Sequence, residues 1–230
     1  MARAKSTPAS MGKMARALCI AGVAVSFAVA FTFTVERATA ENLTGLYDAK
    51  TGYRLKHYRS AVPDDVPGGT RIYIDDIDAL RKTDNAILVD VMPSTGFSYH
   101  PETGHWRLSK VHDHIAGSTW LPDVGKGRVT AELEAYFKAN LTRLTQGDKT
   151  RPLIIYCQSD CWMAWNAVQR AASYGYTKLY WYPEGIDGWR DYDRPLVKAS
   201  PVPVDITAIS DEPAARSQGQ SSQVVRPAGQ

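Results

Sequence analysis

The sequence predicts an α/β domain with a mostly parallel central sheet and helices on both of its faces, and three observations carry that prediction. The runs Ala86-Ile87-Leu88-Val89-Asp90-Val91 and Leu153-Ile154-Ile155-Tyr156 are continuously apolar rather than alternating, the pattern of strands buried on both sides. Between them lies a segment with Leu133, Tyr136, Phe137, Leu141 and Leu144 on one helical stripe. Strand-like and helix-like segments then alternate along the chain, which makes successive strands parallel and puts their connections on the sheet faces.

Taken in order, the chain opens on a leader. Arg3, Lys5, Lys13 and Arg16 precede an apolar run from Ala17 to Val35, and Ala38-Thr39-Ala40 is a small-x-small cleavage site. Residues 1–40 are read as a secretory signal, with an uncleaved anchor as the competing reading because the run is just long enough to span a bilayer. The formal net charge of +3 belongs to this leader. Without its five basic residues and one acidic residue, 22 Lys and Arg face 23 Asp and Glu, so nothing argues for nucleic-acid binding. Cleavage also removes Cys19 and leaves two cysteines in an exported, periplasmic chain, where an even pair is most simply a disulfide, permanent or redox-active.

Residues 41–69 are polar and broken by Gly45, Gly52, Pro63, Pro67 and Gly68-Gly69; Tyr47, Tyr53, Leu55 and Tyr58 lay this arm against the domain. The domain proper spans 70–198. Thr70 to Ile74 alternates as a short strand, and Asp75-Asp76 cap a helix through Lys82. The strand 86–91 follows, then a Gly- and Pro-containing insertion over 93–110 with His100, His105 and Trp106, of the length used for lids and binding loops. His112 to Pro122 reads as a turn into a short strand. Thr130 caps a helix over 131–144 that Gly147 stops. After the strand at 153–156, apolar positions Ala164, Trp165, Val168, Ala171 and Ala172 make a helix to Ser173, closed by Gly175. Lys178 to Tyr182 is a strand, and Pro183 to Arg190 a turn with a short helix. Residues 199–230 are Pro-, Ser-, Gln- and Ala-rich, and read as a disordered tail. No repeat, phosphate-binding loop or dinucleotide fingerprint occurs, so no cofactor is implied.

Cys157 stands where the strand 153–156 hands over to a helix, the place where such sheets present their chemistry. Unpaired amides and the helix dipole there favour a thiolate. Cys161 lies one helical turn on, and residues four apart on such a turn have Cα atoms about 6 Å apart, within reach of a disulfide.

Residues 70–195 resemble a rhodanese-like domain. The carriers are Ile87 to Val91, the turn His114-Ile115-Ala116-Gly117-Ser118, Ile155-Tyr156-Cys157 with its short loop and helix, Gly175 to Tyr180, and Gly185-Ile186-Asp187-Gly188-Trp189. More narrowly, Tyr156 to Asn166 and Tyr180 to Gly185 resemble exported CXXCW-motif proteins associated with pyrroloquinoline-quinone-dependent catabolism, although here three residues separate the cysteines. The resemblance implies a three-layer fold, Cys157 as nucleophile, and a cradle of amides from Gln158, Ser159, Asp160 and Trp162. Asp90 and His114 are supporting positions. It departs from the family in placing Trp162 where thiosulfate-handling members have arginine, and the charge of Asp160 in the cradle opposes an anionic donor. Cysteine-based sulfur transfer or thiol–disulfide exchange is therefore the leading expectation, with Cys161 resolving and a periplasmic thiol or persulfide as donor or acceptor. A quinoprotein dehydrogenase or its cytochrome is the implied partner, and no membrane is involved after cleavage.

Two other readings stand beside it. The cysteine pair with His100, His105, His112 or His114 is similar to copper chaperones of the Sco type, although Trp162 replaces their proline, and thiolates suit Cu(I). A non-catalytic docking module would use Trp162, Trp165, Trp181, Tyr182 and Trp189 as its surface, although most of that set falls on buried stripes.

Overall fold

The computed structural model describes residues 45–94 and 99–206. The expected leader over 1–40 and most of the expected tail lie outside them. A five-stranded sheet forms the centre, built from β1 (Thr70–Arg71), β2 (Ile87–Asp90), β4 (Thr119–Trp120), β5 (Leu153–Tyr156) and β6 (Leu179–Tyr182). Their order is β1-β6-β5-β2-β4 and every pairing is parallel. A separate antiparallel pair joins β3 (Asp113–Ile115) to β7 (Leu196–Lys198). The helices are α1 (Ile74–Thr83), α2 (Ala131–Thr145), α3 (Trp162–Ser173) and α4 (Gly185–Asp191).

Two apolar cores make the three layers. Val89, Leu153, Ile155 and Trp181 pack with Phe137 and Leu141 of α2 and Ala164 and Val168 of α3. Leu88, Ile154, Tyr156 and Tyr182 point the other way, onto Ile74 and Ile77 of α1 and Ile186 and Trp189 of α4. The period-2 alternation of β5 divides these two sets, so the strand with no charged side chain and only the Tyr156 hydroxyl as a polar group is the one covered on both faces. Trp162, Trp165, Trp181, Tyr182 and Trp189 are all buried, so they supply no exposed docking surface.

Local chemistry fixes the element ends. Thr130 accepts the Leu133 N–H at 3.3 Å and starts α2, and Gln146 and Gly147, both at positive φ, end it. α1 begins earlier than the Asp75-Asp76 pair predicts. The Asp76 carboxylate accepts the Tyr73 N–H at 2.8 Å, which makes Tyr73 the cap and shortens β1 to two residues.

The reading of disorder from residue 199 is corrected as far as 206. Pro201 pairs alongside Trp120, the Val202 N–H donates to the Trp120 carbonyl at 3.0 Å, and the Val204 N–H donates to the Gly104 carbonyl at 2.9 Å. Trp106 Nε1 and the Tyr136 hydroxyl each donate to the Val202 carbonyl at 2.8 Å. Composition averages hide this because Val202 and Val204 alternate with Pro201 and Pro203. Prolines at an edge remove amides that have no partner there anyway. Gly104 sits at φ 69°, and a Cβ on it would fall 1.9 Å from the Val204 carbonyl oxygen. Gly104→Ala is expected to lift residues 201–204 off the domain, costing about 1–2 kcal/mol, and hydrogen exchange at the Val202 and Val204 amides would register the release.

A candidate active site at the cysteine turn

Asp90 stands level with Tyr156 in the β2–β5 pairing, so Val91 and Met92 emerge beside Cys157 at the C-terminal edge of the sheet. Cys157 leaves β5 on the side of α3 and is fully buried; Cys161 is the N-cap of α3 and is 3% exposed. Both are free thiols. Cys157 Sγ lies 3.6 Å from Met92 Sδ, in the geometry of a weak S–H donor. The two cysteine side chains act on each other directly.

The two sulfurs have opposite electrostatics, in the reverse of the order the sequence predicts. Burial holds the Cys157 thiol well above its usual range, and its interaction with Cys161 and the charge of Asp90 push the same way. Cys161 is lowered, chiefly by its interaction with the Cys157 thiol, with the amides of Met163, Ala164 and Gln158 adding to the effect against its own burial. These amides face the sulfur without completing a capping hydrogen bond. The helix N-terminus thus acts on Cys161, which sits on it, rather than on Cys157 at the strand end.

The predicted ring of amides is only partly free to serve. The Gln158 N–H faces both sulfurs. The Ser159 N–H donates to Asp187 Oδ2 at 3.1 Å, and the Ser159 hydroxyl donates to the Glu184 carbonyl at 2.9 Å. The Trp162 N–H donates to the Tyr58 carbonyl at 2.9 Å. Asp160 is exposed at φ 52°, and its carbonyl accepts the Ser60 N–H.

The supporting positions separate as well. Asp90 is fully buried; Oδ1 accepts the Met92 N–H at 2.9 Å and Oδ2 stands 2.5 Å from His112 Nε2. Trp120 Nε1 donates to the Met92 carbonyl at 2.7 Å, which pins Met92 at both its backbone polar groups. Buried His114 comes within 3.7 Å of Asp90 without a hydrogen bond at Nδ1, and burial lowers its pKa. The turn that carries it is tied to β5 by the Tyr156 hydroxyl, which meets Ser118 Oγ at 2.6 Å and accepts the Ile115 N–H at 3.2 Å. His100 and His105 are exposed and do not join the cysteines. Among the described residues no three His, Cys, Asp or Glu side chains are arranged to hold a metal ion, so the Cys-and-His copper set is not built.

The arm is the part of the site that the sequence reading undervalued. Residues 54–65 run over the cysteine turn: Arg59 pairs with Cys161, and Trp162 Nε1 donates to Ser60 Oγ and the Ala61 carbonyl at 3.0 and 3.1 Å. The Arg54 guanidinium covers the Trp162 ring at 4.7 Å. Buried Asn166 accepts the Arg54 N–H and donates to the carbonyls of Arg54 and Gly125. The signals available were Met92, two residues past a strand-end acid, and the run of aromatics in the arm.

A model of the Rhodanese-like domain matches residues 74–192, more than half of the chain, from the start of α1 through α4 and including both cysteines. The chain belongs to the rhodanese-like domain family. The arm, β7 and the docked segment at 201–204 are additions outside the matched stretch. No curated protein is a significant match. The rhodanese-like chain is similar in fold to a full-length protein from Lactobacillus plantarum, 16% identical, with 56% of this chain and 88% of that one covered and a TM-score of 0.36. It is likewise similar to the polysulfide-sulfur transferase homodimer of Wolinella succinogenes, 16% identical over 56% of this chain and 79% of that one, TM-score 0.35. The human single-domain sulfurtransferase TSTD1 is 20% identical over 54% of this chain and 96% of that one, TM-score 0.36. Likenesses this remote carry no argument about activity.

Proposed function

We propose that this rhodanese-like domain performs sulfur transfer or disulfide exchange with Cys161 as the attacking thiolate and Cys157 as the resolving thiol. The observation that carries the reading is the placement of the pair, Cys161 at the N-terminus of α3, which favours its thiolate, and Cys157 fully buried at the strand end, which favours its thiol. With a persulfide donor, the Cys161 thiolate attacks the outer sulfur, the donor leaves as a thiolate, and Cys161 carries the extra sulfur. Cys157 then attacks the Cys161 sulfur, its proton passes to the departing sulfide, and a Cys157–Cys161 disulfide remains. With a partner disulfide the same two steps leave the partner reduced and the pair oxidised. The expected leader and the CXXCW resemblance support a periplasmic setting in service of quinone-dependent alcohol oxidation, with a quinoprotein dehydrogenase or its cytochrome as partner.

The burial of both sulfurs favours a second reading, a rhodanese fold that only docks a partner, and one experiment separates the two. The reduced protein is treated with glutathione persulfide or glutathione disulfide and its mass read by peptide. Wild type is expected to lose two protons through a Cys157–Cys161 disulfide, Cys157→Ser to retain the adduct on Cys161, and Cys161→Ser to form none. Adducts in neither wild type nor a variant with a loosened arm would leave only the docking module. The alkylation rate of Cys161 is expected to rise at lower pH than that of a free cysteine, whose pKa is about 8.5, because its thiolate persists there. Cys157 is expected to respond only at higher pH.

A further inference from the structure

Three sulfur atoms, those of Met92, Cys157 and Cys161, come together at the end of the central strand. Cys157 Sγ is 3.6 Å from Met92 Sδ, and Cys161, the buried N-cap of α3 four residues on, acts directly on Cys157. Two sulfurs bound to one ion at about 2.3 Å each stand about 3.8 Å apart, so Met92 and Cys157 already hold nearly that spacing with no ion between them. A methionine filling a gap in a core needs no such anchoring. Here the Met92 N–H is fixed by Asp90, its carbonyl by Trp120 Nε1, and Asp90 is itself fixed by His112. That is the outer shell of hydrogen bonds that aims a ligand. The surroundings are apolar, since Met92 packs against both cores, and Met92 is the half-buried member through which an ion would enter.

We propose that Met92, Cys157 and Cys161 form a three-sulfur site for one Cu(I) ion. Two thiolates and a thioether are soft ligands, which suit Cu(I) and not calcium or magnesium. Zinc asks for four ligands from Cys, His and carboxylates, and the described residues gather no such set. Binding changes no oxidation state: Cu(I) displaces the protons still held by the two thiols, and the thioether adds without losing anything. The site is independent of the sulfur-transfer reading. It needs only the reduced pair, and a Cys157–Cys161 disulfide would abolish it.

The test is an anaerobic titration of the reduced full chain against the Cu(I) chelator bicinchoninate, with X-ray absorption on the loaded protein. Wild type is expected to take one Cu(I) per chain from the chelator, with three sulfur scatterers at about 2.3 Å. Met92→Leu preserves volume and packing; it is expected to lose about tenfold or more in affinity and to show two sulfurs. Cys157→Ser is expected to lose stoichiometric binding. Cu(I) left with the chelator by wild type overturns the site, and so does a Met92→Leu variant equal to wild type in both affinity and sulfur count. Tighter retention of Zn(II) than of Cu(I) in the same assay overturns the choice of metal. Failure of the persulfide experiment leaves each of these results free to go either way.

Discussion

Trp162→Ala is expected to unseat the arm and to destabilise the protein by about 3–5 kcal/mol, the cost of deleting a buried tryptophan whose space cannot collapse. Its indole is 6% exposed, and packs edge-on against Tyr47 and Trp165 with ring centroids 5.7 and 5.0 Å away. It also lies under the Arg54 guanidinium and donates to Ser60 and Ala61. Removing it takes away the ring that Arg54 covers and the donor that both arm groups use. A fall in the urea midpoint would measure the stability loss. Faster hydrogen exchange confined to residues 54–62, with a large rise in the alkylation rate of Cys161, would show that the arm is what seals the cysteines. Trp162→Phe is expected to keep most of the stability and to lose only the indole hydrogen bonds. An alkylation rate unchanged in Trp162→Ala would mean that the sulfurs are reached by another route.

Gly185→Ala is expected to cost about 3 kcal/mol or more, the upper end of single-substitution effects, because two penalties fall on one position. Gly185 starts α4 at φ 55°, and a Cβ built there would lie 2.4 Å from the Cys157 carbonyl oxygen and 2.7 Å from the Gln158 Cα. The close approach is what lets Gln158 pair with Gly185 and lets the Ile186 N–H donate to the Cys157 carbonyl at 3.0 Å. The contact is backbone against backbone, so no side chain can swing aside. Denaturant unfolding would read the loss, and the persulfide assay would show altered adduct formation in whatever fraction stays folded. A variant as stable as wild type would mean that the cysteine turn and α4 are free to move apart.

The fold was legible where burial leaves a one-dimensional trace. Leu153 to Tyr156 carries no charged side chain because both of its faces are covered, and Thr130 and Gly147 bracket α2 with the residues that local hydrogen bonding and positive φ demand. The position of the cysteine pair was legible for the same reason, as a change from strand to helix. Which sulfur is favoured as thiolate was not. That depends on α3 starting at Cys161 and on the depth at which Cys157 is buried, and neither has a local signature. β7 and the docked residues 201–204 were missed because each is a few residues long and gains its partners from segments 80 or more positions earlier. Asp90 reads in sequence as a strand-end acid; only the three-dimensional arrangement shows it holding Met92 and His112 at once.

The contacts that close over the cysteines join residues 100 to 112 positions apart, from Trp165 to Asp65 and from Asn166 to Arg54. Closures of that span are expected to come late, after the sheet and α3 exist to receive them. Each newly made molecule is then expected to pass through an interval in which its thiols are open to any oxidant and its cover has not arrived. Pulsed alkylation during refolding would time that interval, and the redox history of the protein is written within it.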